Sequence, residues 1–205
     1  MKKLFIIISS LLFCLTVTSC SEEKVAETPK VNAKGSKADT YKNWHDVCLK
    51  GKVDDIDKQI AKFEARLKED PNDNLAKVYL GSSQALKAKY SKWPLTKLKC
   101  LREGEKSLDS AVEQAPDDAR VRMVRAIAGY KVPKRFERRP TSLLDFEYLI
   151  PIAKDPKGRL KKNECQVILY YAHLAYGEDG RDSAERLKKL CHNLDPNSTY
   201  GELTK

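Results

Sequence analysis

The three histidines are the first candidates for chemistry, because an imidazole can act as a general base or bind a metal near neutral pH. His45, His173 and His192 lie far apart in the sequence, and none belongs to a pair with metal-ligand spacing. The chain has no His-Glu-x-x-His helix, glycine-rich phosphate loop, nucleophile elbow or Cys-x-x-Cys pair. We therefore expect no catalytic residues, no metal site and no cofactor, and a protein that is not an enzyme.

Cysteine is the other reactive side chain, and Cys20 stands in a distinctive setting. Two lysines precede an apolar stretch at residues 4–15, which is shorter than the roughly 20 residues of a membrane span. The stretch leads to Val-Thr-Ser-Cys at residues 17–20. This ending resembles the lipobox of bacterial lipoproteins, in which an aliphatic residue and two small residues precede an obligatory cysteine. The resemblance implies that residues 1–19 are a signal peptide and that a lipid on Cys20 anchors the chain in a membrane. An uncleaved N-terminal anchor is the alternative.

Residues 20–39 carry few large apolar side chains, and we expect a lipidated cysteine followed by a flexible linker. Glu22-Glu23 after Ser21 resembles the surface-export signal of some Bacteroidetes lipoproteins, and a solvated tether is the other interpretation. Ser21, where an aspartate would retain the protein in the inner membrane under the enteric sorting rule, favours the outer membrane. We expect a cell-envelope protein on the periplasmic side of the outer membrane, with surface exposure as an alternative.

The chain is basic, with a formal charge of +10 that falls to +8 when Lys2 and Lys3 leave with the signal peptide. Such a charge suits anionic lipid headgroups or an acidic protein, and export argues against nucleic acid as a partner. The densest basic stretch, residues 131–140, contains two prolines and predicts a loop that is either solvated or a binding patch. The nearest pair of carboxylates, Asp145 and Glu147, diverges on a helix, and we expect both to be solvated or paired with Arg138 and Arg139.

Apolar residues recur every three or four positions from Thr40 onward, which predicts helices. Ile56, Ile60, Phe63 and Leu67 show this spacing, and the Asp-Pro-Asn-Asp run at residues 70–73 is predicted to end their helix and cap the next. No segment alternates with a period of two, so we predict an all-α fold. The predicted helices span residues 53–69, 75–90, 99–114, 119–130, 141–149, 163–176 and 182–194.

The helices that end in Asp/Ala-Pro-Asp/Asn suggest repeats. The pattern resembles the tetratricopeptide repeat, in which paired helices cross at small residues. Matching positions in this sequence are Leu80-Gly81, Gly104, Leu108, Ala111 and Pro116, then Arg125-Ala126 with Phe146, then Ala172, Ala175, Ala184, Cys191 and Pro196, with Trp44, Val47 and Cys48 as a degenerate first unit. The resemblance implies a short α-solenoid of TPR-like helical hairpins over residues 40–200. Gly81 and Gly104 lie farther apart than the repeat requires, so an insertion at residues 87–97 is expected to bulge out. An unrelated helical bundle is the alternative.

In this family the first helix of each unit lines a concave face that binds peptides. Carrying that face over gives a first set of groove residues, Leu75, Val78, Ser82 and Ala85. The main candidates follow from the next two units: Arg120, Met123, Ile127, Tyr130, Gln166, Leu169, His173 and Tyr176. The same register puts Cys165 and Cys191 at one level of a hairpin, where they form either a disulfide or two buried thiols, alongside Cys48 and Cys100.

Three classes of function remain open on these residues. The chain is expected to be a membrane-anchored, non-catalytic interaction module whose groove takes a protein or peptide partner. A structural envelope component without a groove ligand is the second class. An enzyme with unrecognised catalytic residues is the third.

Changing Cys20 tests the N-terminal assignment most directly. Cys20→Ala should block lipid attachment and processing, because the thiol is the acceptor for the lipid. Metabolic labelling with an alkyne fatty acid measures it, with the wild-type chain as reference. Equal label on wild type and variant would contradict the assignment.

Overall fold

A computed structural model describes residues 36–155 and 157–205. The predicted signal peptide at residues 1–19, the predicted lipidation site Cys20 and the part of the predicted linker up to residue 35 lie outside the described residues. The described part is all-α, as predicted, and contains no strand. None of its helices is long and apolar enough to cross a bilayer. The helices are α1 Lys37–Leu49, α2 Val53–Glu69, α3 Asn74–Tyr90, α4 Pro94–Gln114, α5 Ala119–Lys131, α6 Arg139–Ala153, α7 Lys162–Glu178, α8 Ala184–Leu194 and α9 Thr199–Glu202.

Short polar side chains cap α1, α3 and α5, the last two at the predicted places. Asp73 accepts a hydrogen bond from the backbone N–H of Ala76 and caps α3, and Asp118 caps α5 in the same way. Ser36 caps α1 by accepting from the N–H of Asp39, so the fold begins three residues before the expected start at Thr40. A local cap therefore sets each of these boundaries.

The expected bulge at residues 87–97 was wrong. Helix α3 continues to Tyr90 and α4 begins at Pro94, so the additional residues lengthen both helices of one hairpin. Pro94 occupies the first turn of α4, where its missing N–H costs no helical hydrogen bond. Only Ser91, Lys92 and Trp93 connect the two helices.

Gly81 and Gly104 mark the closest approach of α3 and α4. A Cβ atom built on Gly81 would lie 2.7 Å from the carbonyl oxygen of Gly104 and 2.9 Å from the side chain of Leu108. A Cβ atom on Gly104 would meet the carbonyl oxygen of Gly81 at the same distance. The sequence prediction that these small residues lie at a helix crossing is confirmed.

The helices form two layers. Helices α1, α3, α5 and α7 contact one another in chain order, and each also packs against the helix that follows it. The even-numbered helices of the described part make no comparable contact with one another. Helix α9 packs on α7 and α8 at the C-terminal end. One face of the odd-numbered layer is thus left without a covering helix.

Two apolar clusters hold the layers together. The first joins α1 to α5 through side chains that include Tyr41, Phe63, Val78, Leu108 and Val121. The second joins α5 to α8, and its buried members include Phe146, Leu149, Ile168, Leu169 and Leu187. Helix α5 contributes to both clusters, so it is the element that the two halves share.

A buried carboxylate links the helices around α5. Asp145 of α6 is fully buried and accepts hydrogen bonds from Arg122 Nη1 at 2.8 Å and Arg125 Nε at 2.7 Å. Arg125 also pairs with Asp109 of α4, which Arg138 contacts at 2.6 Å. The expectation that Asp145 is solvated or paired with the arginines near it in sequence was wrong, because its partners come from the preceding helix. Glu147 pairs with Arg181.

Replacing Gly81 with alanine should destabilise the fold. The new methyl group has no space between α3 and α4, and overpacking of this kind costs about 1–3 kcal/mol in the free energy of unfolding. Gly177→Ala is the matched control, because its Cβ would meet only Ala184 Cβ, at an ordinary 3.9 Å. Urea denaturation measures both variants. A Gly81→Ala chain as stable as Gly177→Ala would contradict the crossing.

Candidate functional site

The uncovered face of the odd-numbered layer contains a large, partly open cavity. Its volume is about 970 Å³, and its walls come from α1, α3, α5 and α7, with contributions from the start of α4, the segment 132–136 and Tyr200 of α9. A cavity of this size lies at the upper end of the range for ligand pockets in proteins. This space is sufficient for a ligand of peptide size.

Apolar and aromatic side chains make up most of the wall. Leu49 is 44% exposed, so the wall is open to solvent in part, and an apolar wall around an open space is the usual form of a ligand site. The aliphatic members include Leu49, Leu86, Leu101, Met123, Ile127 and Val167. The aromatic members are Tyr79, Tyr90, Phe136, Tyr171 and Tyr200.

His45 and Ser82 form a polar pair within this wall. Nε2 of His45 lies 2.8 Å from Oγ of Ser82, and the imidazole packs beside Tyr79 with ring centroids 5.3 Å apart. Burial lowers the pKa of His45 to about 4; Asp46 opposes the shift, and Lys131 and Lys42 add to it. His45 is therefore neutral near pH 7.

The acidic groups of the wall are already engaged. Asp46 pairs with Lys42 and Asp39 pairs with Lys161, both at 2.5 Å, and Glu164 pairs with Arg120 at 2.8 Å. These contacts neutralise the end of the cavity formed by α1 and the start of α7.

Cations without such partners surround the other end. Lys89, Lys97, Lys131 and Arg135 line the cavity, and none forms an ion pair with a carboxylate in the part of the chain that the structure describes. The Lys131 ammonium lies 4.9 Å from the centroid of the Tyr171 ring, and burial lowers its pKa. This end of the cavity is suited to an anionic group.

The predicted groove residues of the first two units divide between cavity and core. Ser82, Ala85, Met123 and Ile127 line the cavity, whereas Val78 is buried in the first apolar cluster and Leu75 packs against it. Arg120 and Tyr130 lie on the inner layer, but their polar groups already have partners within the fold. Arg120 pairs with Glu164, and the Tyr130 hydroxyl donates to Glu178 at 2.6 Å.

The register predicted for α7 was wrong. Gln166 is buried and donates to the carbonyl oxygens of Cys191 and Asp195, and Leu169 is core. His173 Nδ1 lies 3.2 Å from the carbonyl oxygen of Ala184, and Tyr176 is buried beneath Arg181. These four residues face the outer layer. The register was centred on Ala172, but small residues in α7 mark contacts with α6 and α8 and do not identify the inner face.

Sequence reasoning missed the residues that α7 does present to the cavity. Asn163, Glu164, Val167 and Tyr171 recur at spacings of one, three and four, and none of them belongs to the predicted set. The side chains of α1 were also missed, among them His45 and Leu49. The available sequence signal was a pair of spacings. Val167 and Tyr171, four residues apart, share one face of α7, and Ile168 and Ala172, which are buried, share the neighbouring face.

The four described cysteines are buried free thiols, including the Cys165 and Cys191 of the proposed disulfide. Cys191 Sγ instead donates to the carbonyl oxygen of Gln166 at 3.5 Å. Burial raises the pKa of all four thiols, Cys48 and Cys100 included. Each is accordingly a protonated, weakly nucleophilic group that packs as a small apolar residue.

The geometry bears on two kinds of chemistry, metal binding and nucleophilic catalysis. Among the described residues, no group of three or more His, Cys, Asp or Glu side chains is arranged to hold a metal ion. The Ser82–His45 pair has the spacing of a nucleophile and its base. A pKa near 4 makes His45 a weak base at neutral pH, and the backbone N–H groups beside Ser82 lie within α3, where helical hydrogen bonds use them.

Comparisons with known proteins do not assign this chain to a family. No protein-family model, no curated protein and no solved structure matches the chain. The site must therefore be interpreted from its own residues: an apolar wall, a neutral His–Ser pair and a cationic end.

His45 should make the fold sensitive to acid. The unfolded chain takes up a proton on this imidazole near pH 6.5, whereas the folded chain does so only near pH 4. The free energy of unfolding therefore falls as pH decreases from about 6.5 to about 4, by about 1–3 kcal/mol from this group, and is unaffected above that window. Urea denaturation across this range should show a smaller loss for His45→Gln. The same loss in His45→Gln as in wild type would contradict the account.

Proposed function

We propose that this protein is a membrane-anchored envelope lipoprotein whose helical domain is a non-catalytic module for binding a protein or peptide partner. The observation that carries the proposal is the cavity of about 970 Å³ on the odd-numbered helical layer, with its apolar wall and cationic end. An extended or helical peptide buries apolar side chains in such a groove and uses a few polar groups for orientation.

The arrangement of helices supports a TPR-like solenoid as part of this proposal. Helix pairs α1–α2, α3–α4, α5–α6 and α7–α8 act as four hairpins, and the first helix of each lines the cavity. The close crossing at Gly81 and Gly104 is the kind of contact on which paired helices of that family depend. Helix α9 packs over the last hairpin, as a terminal cap would.

The cavity favours an acidic segment with large apolar side chains. Its acids are paired internally, so an approaching cation finds no free carboxylate among the described lining residues. Its unpaired cations, Lys89 and Lys131 among them, would attract Asp, Glu or a C-terminal carboxylate. Ile127 lies one helical turn before Lys131 on α5, and together with Met123 it would contact the apolar anchors.

Anchoring at Cys20 is the second part of the proposal. The lipobox resemblance carries it, and a lipid on Cys20 would keep the domain at a membrane. Cys14→Ala is the matched control for Cys20→Ala, since it removes a thiol from the same N-terminal region without touching the lipobox. Only the Cys20 variant should lose the alkyne fatty-acid label.

The enzyme alternative depends on Ser82 and His45. A hydrolase that used Ser82 as nucleophile would react with a fluorophosphonate probe, and Ser82→Ala would abolish that reaction. We expect no labelling of Ser82, because its partner imidazole is a weak base. Stoichiometric labelling at Ser82 would replace the binding proposal with a catalytic one.

Reversing the cavity cations should abolish peptide binding. Peptides selected from a random display library on the full chain should combine acidic and large apolar residues. Lys89→Glu with Lys131→Glu should raise the dissociation constant of such a peptide by about 30-fold or more, which corresponds to roughly 2 kcal/mol. Isothermal titration calorimetry measures the change, and circular dichroism checks the fold.

Two controls accompany this test. Lys68→Glu with Lys189→Glu reverses the same amount of charge on exposed residues of α2 and α8, outside the cavity, and should change affinity by less than about threefold. Ile127→Ser removes an apolar wall residue and should weaken binding as well. Equal effects of the two double reversals, or full affinity after Ile127→Ser, would show that the cavity is not the binding site.

A further inference from the structure

The turn between α3 and α4 exposes two large apolar side chains. Trp93 is 75% exposed and Leu95 is 84% exposed, although neighbouring Ser91 and Cys100 are buried. Pro94 starts α4 immediately after Trp93, so the turn is short and both side chains project from the end of the hairpin. Neither residue lines the cavity. Packing within the described part of the domain does not account for them.

The surrounding sequence is strongly basic. Residues 86–102 contain five lysines and one arginine and no Asp or Glu. Lys92, Lys99 and Arg102 are exposed, and Leu95, Lys99 and Arg102 share one face of α4 at spacings of four and three. The carboxylate of Glu103 reaches only Lys99, at 3.8 Å. We define Trp93, Leu95, Lys92, Lys99 and Arg102 as the tip patch.

We propose that the tip patch docks on the surface of an anionic lipid bilayer. Tryptophan and leucine insert at the boundary between headgroups and acyl chains, and the flanking cations contact the phosphates of anionic lipids. No spanning segment is needed for such contact.

The composition of the patch favours a lipid surface over a protein partner. Protein interfaces are depleted in lysine at their centres, because desolvating an ammonium is costly. In the tip patch, lysines flank the two apolar side chains directly. At a bilayer the long lysine side chains can keep their ammonium groups among the headgroups while the apolar residues enter.

Fluorescence of Trp93 tests the proposal in the full chain. The chain has two tryptophans, so Trp44→Phe leaves Trp93 as the only one, with Trp44 replaced by another aromatic beside Phe63. Vesicles contain equal amounts of phosphatidylglycerol and phosphatidylcholine with brominated acyl chains, which quench an inserted indole. Residues 4–15 are apolar and can bind vesicles by themselves, so quenching of Trp93, and not binding of the chain, is the readout.

Trp93 should be quenched on the anionic vesicles and remain unquenched on phosphatidylcholine alone. In the Trp44→Phe background, Lys92→Gln, Lys99→Gln and Arg102→Gln together should raise the lipid concentration for half-maximal quenching about 10- to 100-fold, since each basic residue near such a surface contributes roughly a factor of five. Leu95→Glu should have a comparable effect. These changes avoid the cavity lining, so peptide binding should persist and the two proposals can fail separately.

The matched control is Lys50→Gln, Lys68→Gln and Lys189→Gln, which removes the same charge from exposed positions elsewhere. It should shift half-maximal quenching by less than about threefold. Unquenched Trp93 on anionic vesicles that carry the protein would overturn the proposal. Equal quenching on neutral vesicles, or equal shifts in the two triple variants, would overturn it as well.

Discussion

The buried carboxylate of Asp145 is the interaction on which the continuity of the helical layers depends. Two arginines of α5 donate to it, and one of them, Arg125, also reaches Asp109 of α4. Helix α6 is thereby fixed to α5 around a charge that water does not reach, and the pair of Arg125 with Asp109 extends this link to α4. A buried carboxylate without partners would cost several kcal/mol, so Asp145 is buried only when α5 supplies its arginines.

The same constraint keeps α5 in the inner layer. Helix α5 contacts α3 on one side and α7 on the other, and it belongs to both apolar clusters. With Arg122 and Arg125 turned toward α6, the opposite side of the helix presents Met123 and Ile127 to the cavity. The position of Asp145 therefore determines which side chains of α5 form the cavity wall.

Local signals in the sequence were sufficient to predict the helices. Asp73 and Asp118 act within one turn of their own positions, which is why caps and the all-α class were predictable. The crossing at Gly81 and Gly104 was predictable because a glycine in each of two facing helices lets their backbones approach closely. The partners of Asp145 were not predictable, since they are about 20 residues away and several arginines were available.

The candidate site was predicted only in part for the same reason. Met123 and Ile127 follow from the register of α5, whose inner face lies opposite Arg122 and Arg125. Helix α7 has apolar or small residues on both faces, so Leu169 and Val167 are indistinguishable as core and wall until α6 and α8 are placed. Trp93 is exposed because α3 and α4 extend far enough to place it at the end of their hairpin. The prediction of a bulge at residues 87–97 gave both helices the wrong length, so it did not identify this exposure.

The proposed anchor at Cys20 and the proposed docking of the tip patch together imply one orientation of the domain. Sixteen residues separate Cys20 from Lys37, a span of at most about 55 Å when extended. A domain tethered at that distance would be able to bring Trp93 to the bilayer. In that orientation the cationic end of the cavity, where Lys97 follows Pro94, would lie near the membrane, and the end formed by the starts of α1 and α7 would be directed away from it.

Site-specific photo-crosslinking in intact cells tests the central claim, that the odd-numbered helical face holds a partner. A benzoylphenylalanine at Val167 lies in the cavity wall, whereas one at Leu144, which is 64% exposed on α6, lies outside the lining. The account predicts a discrete crosslinked protein from position 167 and none from position 144, with the product lost when Lys89 and Lys131 are both changed to Glu. The same product from both positions, or no product from position 167, would contradict it.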